Sequence, residues 1–259
     1  MLKKFRMSRR VFAYPYVLFM LLFIVTPLVM ILVNAFIAGG KLSFDNFVSF
    51  FTDRNSLNVL AISLVVGFVT TLLCLLLGYP IAYILSKMDS GKILVLLFIL
   101  PMWVNFLIRT LAIKSIFDWL KVPLGMGTVI FGMVYNYLPF MILPLHTTLS
   151  NIDKSYAEAA SDLGADPFTV FLKTVLPLSL PGIISGITMV FIPTISTFDI
   201  SELLSDRTIK LFGDSINLKF TQDMYGVGSV MSLIMLALVL LSNFFMNRFS
   251  KDVYNRGVI

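Results

Sequence analysis

Long apolar stretches alternate with short polar segments along this sequence. A helix needs about 20 mostly apolar residues to cross a hydrocarbon core of about 30 Å, and six stretches reach roughly that length. They cover residues 11–36, 59–86, 93–117, 128–149, 182–200 and 227–249. The fifth stretch is short and contains Pro193. The pattern predicts an all-α membrane protein with six transmembrane helices.

The composition also indicates a membrane protein. Of the 259 residues, 58% are hydrophobic and only 13% are charged, and the mean hydropathy is +0.92. Seven of the 11 prolines fall inside or at the rim of a predicted span: Pro15, Pro27, Pro80, Pro101, Pro139, Pro144 and Pro193. Broken helices are tolerated where they line a cavity, so these prolines indicate a path through the protein, or only the ordinary frequency of proline in membrane helices.

The distribution of Lys and Arg predicts the orientation of the chain. Basic side chains are concentrated before the first span and in every second connection after it, and such segments face the cytosol. This places segment 1–10, loop 150–178 and tail 250–259 in the cytosol, with a transmembrane domain at residues 11–249. The net charge of +6 is explained by this bias and implies no nucleic-acid partner, while membrane lipid is the expected surrounding of the apolar spans.

The predicted cytosolic loop contains a polar motif between two apolar spans. It reads Glu158-Ala159-Ala160, then Gly164, and later Leu176-Pro177. Asp153 and Asp166-Pro167 are typical of helix starts, and Gly164 supplies the positive φ that ends a helix. The motif predicts two short helices joined at a glycine, the second of which ends at Leu176-Pro177. Apolar residues recur along one side of this second helix: Phe168, Phe171, Leu172 and Val175.

This motif resembles the EAA loop of ATP-binding-cassette (ABC) importer permeases: Glu-Ala-Ala, three residues, Gly, nine residues, Ile, one residue, Leu-Pro. Every marked position matches except Thr174, which stands where the family has Ile. The segments LGYPIAY (77–83), PMWVNFLIRT (101–110) and YLPFMILPL (137–145) resemble the spermidine/putrescine (polyamine) permeases, specifically the B-type subunit. The resemblance implies a type I ABC importer permease (MetI-like) fold and ATP-driven polyamine import by alternating access.

The resemblance also implies that the loop is a coupling helix held in a groove of an ATPase subunit. The coupling residues would be Glu158, Ala159, Ala160, Gly164, Asp166, Pro167, Leu176 and Pro177. Small side chains let the backbone approach the groove closely. Glu158 either pairs with a basic residue there or only caps the helix.

The partners follow partly from what the sequence lacks. It has no Walker A loop, so ATP and Mg²⁺ are expected on a partner ATPase, and this chain is not expected to be an enzyme. No catalytic residue, cofactor or metal is assigned to it. Six spans are half the usual complement of an importer. The resemblance therefore implies an ATPase dimer, a second homologous permease and an extracytoplasmic polyamine-binding protein on outer loops 37–58 and 201–225, at the bacterial cell membrane.

A flexible polycation is held by carboxylates and by aromatic faces. The candidates for the substrate path are Trp103, Asn105, Tyr137, Asp199 and Glu202. The two acids would attract the amine at the outer mouth, and Trp103 and Tyr137 would line the path. Arg109 is the expected charge partner, which either neutralises an acid in the resting state or forms a pair with Asp199 that only locks two helices.

Other functions stay open from the sequence. The nearest is a permease for another solute of the same extended group, such as ferric ion, thiamine or sulfate, although Asp199 and Glu202 argue against an anion. An ATP-independent channel would not need a docking loop. An intramembrane hydrolase would need a nucleophile with a base, or several metal ligands, and the chain has one histidine and one cysteine.

Overall fold

The computed structural model describes residues 13–255 of the chain. The predicted cytosolic segment 1–10 and the last four residues of the predicted tail lie outside the described residues. The described chain is mostly helical, with one antiparallel hairpin of β1 (Ile37–Ala38) and β2 (Lys41–Leu42). The predicted all-α class is therefore confirmed, apart from this short hairpin.

The α-helices of the described chain are numbered in order. They are α1 (Ala13–Met20), α2 (Thr26–Ala35), α3 (Asp45–Thr52), α4 (Arg54–Lys87), α5 (Gly91–Ile99), α6 (Phe106–Trp119), α7 (Met126–Asn151), α8 (Lys154–Asp162), α9 (Pro167–Val170), α10 (Leu176–Leu178), α11 (Leu180–Ser196), α12 (Ile200–Leu204), α13 (Phe212–Thr221) and α14 (Tyr225–Asn255). Two π-helical turns, Leu21–Val25 and Phe171–Val175, and one 3-10 turn, Leu100–Trp103, connect some of them.

Four helices of the described chain are long and apolar enough to cross a membrane, namely Tyr14–Ala35, Arg54–Lys87, Met126–Asn151 and Tyr225–Phe249. Two bent helix pairs bring the number to six if each pair is one span. These six agree in position with the six predicted stretches, but the third and the fifth differ from the prediction in shape.

The third predicted span is a broken helix. One arm is Gly91–Trp103 and the other is α6, and the two meet at 91°. Pro101 lies in the 3-10 turn, and Val104 after it is extended. Asn105 then starts α6 anew, because its side chain accepts a backbone N–H of the first turn at 2.8 Å. The predicted span over 93–117 is therefore broken after Pro101, one of the prolines that indicate broken helices in the sequence.

The fifth predicted span is also bent, and its boundaries differ from the prediction. The segment Pro167–Leu178 meets α11 at 62°. α11 begins at Leu180 instead of residue 182 and ends at Ser196, because Thr197 is extended with a ψ of 149°. Asp199 was placed inside this span, and it lies beyond the end of the helix. The acid therefore lies outside the helix pair that forms the fifth candidate span.

Contacts divide the described chain into two compact units, residues 13–54 with 216–236 and residues 55–215 with 237–255. In the first unit, the side-chain amide of Asn46 closes the end of α2. Its Nδ2 donates to the C=O groups of Ala35 and Ile37 at 3.2 and 2.9 Å. The division of the chain into one transmembrane domain and two cytosolic ends stays a prediction.

The second unit contains all the predicted functional residues, and α4, α7 and α11 form its centre. Cys74, Met141, Leu145 and Val190 are buried there. Gly186 lets α11 lie directly on α7, because a Cβ at this position would come within 2.5 Å of the Met141 sulfur. Close packing through small residues is common between membrane helices.

Candidate functional site

The predicted cytosolic loop folds as two short helices joined at Gly164. Asp153 starts α8 by accepting the N–H two residues ahead at 2.9 Å. α8 ends before Gly164, which has a φ of +85° and whose N–H bonds to the C=O of Ser161. The N–H of Ala165 bonds to the C=O of Ala160. This pair of bonds is the Schellman arrangement, which needs a left-handed residue, so the predicted glycine stop is confirmed.

Asp166 starts the second helix of the loop. Its carboxylate accepts the N–H groups of Phe168 and Thr169 at 3.1 and 3.3 Å and the Thr169 hydroxyl at 2.6 Å. These bonds, mainly those from Thr169, hold the pKa of Asp166 below its usual value. Pro167 occupies the first helical position, where no N–H is needed. The predicted restart of the helix is confirmed.

The second helix ends at Leu178, one residue beyond the predicted end at Leu176-Pro177. It continues through the π-helical turn Phe171–Val175 and through α10 to Leu178. A π-helical turn contains one residue more than an α-helical turn and interrupts the regular hydrogen bonds. Pro177, which has no N–H to donate, follows directly after this interruption. Leu176 and Pro177 are both half-buried, and Leu176 packs against the core of the second unit.

The same π-helical turn divides the apolar residues of this helix between two faces. Phe171 and Val175 pack into the core, whereas Phe168 and Leu172 are exposed. An inserted residue shifts the helical phase, so a spacing of three and four residues no longer marks one side. The single apolar side predicted from the sequence is therefore wrong.

Phe171 joins the loop to α4. Its ring lies edge-on to Tyr79 and to Tyr83, with centroid distances of 5.8 and 5.4 Å. The Tyr79 hydroxyl is also hydrogen-bonded to the hydroxyl of Ser179, at the bend before α11, at 2.9 Å. Packed side chains thus connect the loop to α4 and to the start of α11.

The surface of the loop is partly apolar. Leu163 is 90% exposed, Phe168 is 68% exposed and Tyr156 is 52% exposed. Glu158 and Ala159 of the same loop are exposed as well. Several exposed large apolar side chains in one short loop are typical of an interaction site. The sequence reasoning missed Leu163 because it treated this residue as a spacer within the motif.

The alanines of α8 do not all share this surface. Ala157 and Ala160 are half-buried and pack against the core of the second unit, whereas Ala159 is exposed. Ala160, which the sequence placed in the docking group, therefore contributes to the inner face. Residues one position apart on a helix are separated by about 100°, which explains the difference between Ala159 and Ala160.

Two of the predicted path residues lie at the break of the third span. Trp103 ends the first arm and is 82% exposed. Asn105 is exposed, and its side chain is occupied in capping α6. Asn105 therefore has a structural role that the sequence reasoning did not assign to it.

Arg109 and Tyr137 line the same cavity of about 250 Å³, together with Asn136. The guanidinium Nε and Nη1 of Arg109 are inaccessible and have no hydrogen-bond partner. Among the described residues, Arg109 forms no ion pair, so the predicted pair with Asp199 is not present. The physical reason is the position of Asp199 beyond α11, where its carboxylate faces a different cavity.

This second cavity, the outer cavity, has a volume of about 470 Å³ and brings Asp199 and Glu202 together as predicted. Its other charged residues are Lys114, Asp206 and Arg207. Lys114 is ion-paired with Asp206, and Arg207 Nε lies 2.7 Å from a Glu202 oxygen. The outer cavity therefore holds three carboxylates against two cations, a balance that favours a further positive charge.

Asp214 is a functional candidate that the sequence reasoning missed. Its carboxylate accepts the N–H groups of Asp199 and Leu211 at 3.1 and 2.7 Å and the hydroxyl of Ser201. Asp199 has a φ of +73°, which is uncommon for a residue other than glycine. Asp214 thus holds the backbone that presents the Asp199 side chain.

The pKa values of Asp199 and Asp214 are both raised. Burial, the Asp214 charge and the Glu202 charge raise the pKa of Asp199 above its usual value. Burial also raises the pKa of Asp214, although hydrogen bonds from Ser201, Leu211 and Asp199 oppose the shift. A cation bound in the outer cavity would favour the charged form of Asp199 and so lower its pKa.

We expect Asp214→Ala to destabilise the chain. It leaves three donors without a partner, and each buried unsatisfied group costs about 1–3 kcal/mol. The thiol of Cys74, the single cysteine of the chain, is buried, so its reaction with a thiol-specific dye during heating in detergent reports unfolding. The control is Asp206→Ala, which removes an exposed ion pair worth at most about 1 kcal/mol. Equal unfolding temperatures for Asp214→Ala and Asp206→Ala would contradict the stabilising role of Asp214.

These features define a class of protein. Long apolar helices, two bent candidate spans, a short helical loop with exposed apolar side chains and a charged cavity beyond the end of a span are typical of a membrane-embedded transport subunit. The chain matches the family of binding-protein-dependent transport system inner membrane components over residues 3–254, and it belongs to this family. It is therefore a multi-pass inner-membrane component of such a transport system.

Relatives and solved structures agree with this family. The chain is 34% identical over 227 residues to the spermidine/putrescine transport system permease protein PotB of Escherichia coli (strain K12), covering 78% of this chain and 82% of that protein. Against the protein of the same name in Haemophilus influenzae, it is 32% identical over 227 residues, covering 78% and 79%.

The fold is similar to that of solved ABC importers. A chain of the bacterial ABC transporter involved in import of the acidic polysaccharide alginate matches with a TM-score of 0.71, 16% identity and 94% coverage of both chains. A chain of the inward-facing MetNI methionine ABC transporter matches with a TM-score of 0.60, 18% identity, 78% coverage of this chain and 99% of the other. The predicted type I ABC importer permease fold is thereby confirmed.

Proposed function

We propose that this chain is one permease subunit of an ATP-driven importer that moves spermidine or putrescine into the cytosol by alternating access. The observation that carries the proposal is the 34% identity over 82% of a spermidine/putrescine permease. The outer cavity supports it independently, because carboxylates in excess over cations suit a substrate with several ammonium groups.

The exposed surface of the loop is the attachment point for an ATPase subunit. Leu163 and Phe168 enter a groove of the ATPase, and Ala159 allows the two backbones to approach closely. Glu158 is exposed next to them and has the freedom to pair with a basic residue of that groove. Because Phe171 is packed on Tyr79 and Tyr83, movement of the docked loop tilts α4.

ATP and Mg²⁺ bind to the ATPase dimer, which supplies the energy. Closure of this dimer brings the coupling loops of this chain and of a second, homologous permease together and opens the path outward. An extracytoplasmic polyamine-binding protein then releases its ligand at the outer mouth. This arrangement places both termini and loop 150–178 in the cytosol, in agreement with the bias of Lys and Arg.

The outer cavity is the first substrate site of this chain. Asp199 has no ion-pair partner among the described residues, so its carboxylate is available to an ammonium group. Glu202 becomes available when Arg207 moves aside, which costs little because this pair is largely exposed. The path continues towards Tyr137, and Trp103 offers an aromatic face from the break of the third span.

Uptake by the assembled complex tests this function. The chain is reconstituted in liposomes with its partner permease, the ATPase and the binding protein, and ATP-dependent accumulation of labelled spermidine and putrescine is measured. We expect unlabelled polyamines to compete and ferric ion, thiamine and sulfate not to compete. Transport that needs ATP but is competed only by one of the other solutes would replace the polyamine by that solute, and currents from this chain alone would indicate a channel.

We expect Gly164→Val to uncouple transport and Gly164→Asn to retain it. No atom lies within 4 Å of a Cβ added at this position, so neither side chain is blocked within the chain. Valine does not tolerate the φ of +85°, at a cost of roughly 1–2 kcal/mol, whereas asparagine adopts it more readily. The measurement is ATPase activity stimulated by the loaded binding protein. Equal activity of both variants would show that the bend is not needed.

A further inference from the structure

Arg109 is a cation that forms no ion pair with the described residues. It lies on α6, within the third span, and its Nε and Nη1 have no hydrogen-bond partner. An unpaired charge in a span costs about 2.5–3.5 kcal/mol on insertion scales, so such residues pair with another group. The amide oxygen of Asn136, which is 2% exposed and lines the same cavity, also has no partner.

The nearby acids of this chain do not supply that partner. Asp206 is paired with Lys114, and Glu202 is paired with Arg207. Asp214 already accepts three hydrogen bonds. The Asp199 carboxylate lines the outer cavity, which Arg109 does not line. Among the described residues, Arg109 is thus left without a carboxylate.

Arg109 also lines a third cavity. It is a groove of about 460 Å³ along α6 and α7, and its lining is apolar apart from Arg109 and the hydroxyl of Tyr135. The complement of an apolar groove with one cation is an apolar segment with one carboxylate. A phospholipid carries its acceptor, the headgroup phosphate, at the membrane surface, whereas Arg109 lies within the third candidate span. A free anion would leave the apolar part of the groove empty.

We propose that this groove receives a transmembrane helix of the second permease subunit, and that one Asp or Glu of that helix pairs with Arg109. The inference rests on the proposed function only in requiring a second permease. It assigns Arg109 to the contact between the two permeases, in place of the predicted pair within this chain. The exposed apolar side chains Ile108 and Ile116 on α6 belong to the same contact.

The test is recovery of the second permease with the tagged chain from detergent-solubilised membranes, which does not depend on the identity of the substrate. We expect Arg109→Glu to reduce recovery more than about tenfold, because it places two acids together without a counter-charge. Arg109→Lys keeps the charge and retains most of the recovery. Each Asp and Glu in the spans of the second permease is then changed to Lys in the Arg109→Glu background, and one of these changes restores recovery.

Lys114 provides the matched control on the same helix. Its partner, Asp206, belongs to this chain, so a defect of Lys114→Glu is repaired by Asp206→Lys here and by no change in the second permease. The proposal is overturned if Arg109→Glu leaves recovery unchanged, or if repair comes only from acids of this chain. A wild-type complex that assembles but does not transport polyamines would contradict the proposed substrate and leave this inference intact.

Discussion

Leu163→Asp and Phe168→Asp should each weaken binding of the ATPase subunit and reduce the ATPase activity that the loaded binding protein stimulates. Both side chains are exposed on the surface of the cytosolic loop, and neither contributes to the buried core, so the substitutions leave the fold of the chain intact. A charge at the centre of an apolar contact costs about 2 kcal/mol or more, which is about 30-fold in affinity. The measurement is ATPase activity stimulated by the loaded binding protein, together with recovery of the ATPase subunit on the tagged chain.

The control for these variants is Met88→Asp. Met88 is an exposed apolar residue in a different predicted cytosolic connection, between α4 and α5. We expect this variant to keep both the stimulated activity and the ATPase subunit. Equal behaviour of Met88→Asp and Leu163→Asp would mean that a new charge, rather than the docking surface, causes the defect.

Asp199→Asn should reduce polyamine uptake at low substrate by about 10- to 100-fold, since a hydrogen bond to a charged group contributes about 1.5–3 kcal/mol. Asparagine has the same shape as aspartate and tolerates the φ of +73°, so the change removes the charge and little else. Assembly should be unchanged, because Asp199 makes no ion pair with Arg109. The measurement is initial uptake of labelled spermidine beside recovery of the intact complex.

Asp206→Asn is the matched control for Asp199→Asn. Asp206 lines the same outer cavity, but Lys114 already neutralises its carboxylate. Uptake by this variant should stay within a few-fold of wild type. Loss of assembly with Asp199→Asn would favour a structural lock, and unchanged uptake would remove Asp199 from the substrate path.

The features that the sequence predicted correctly depend on interactions between residues that are close together in the chain. The six spans follow from runs of about 20 apolar residues, and the helix starts at Asp153 and Asp166 follow from carboxylates that accept free backbone N–H groups. Gly164 ends α8 because its backbone adopts a positive φ. Each of these features depends on residues within a few positions of one another.

Features that depend on the assembled chain were missed. The sequence places Asp214 fifteen positions after Asp199, and only the fold brings its carboxylate to the Asp199 N–H. The π-helical turn at Phe171–Val175 is not visible in the sequence, and Phe171 packs into the core whereas Phe168 is exposed. The expected ion pair between Arg109 and Asp199 does not form, because α11 ends before Asp199. Hydrophobic periodicity does not determine where a span ends when a short helix follows it.

In the proposed complex, an ATPase subunit holds the exposed surface of α8. Ala159→Cys and Ala157→Cys probe this contact, because the two positions lie on opposite faces of one helix and the natural Cys74 is buried. We expect that, in intact cells, a thiol cross-linker attaches Ala159→Cys to the ATPase subunit and does not attach Ala157→Cys. Capture of the ATPase from neither position, or equally from both, would show that α8 is not held in this way.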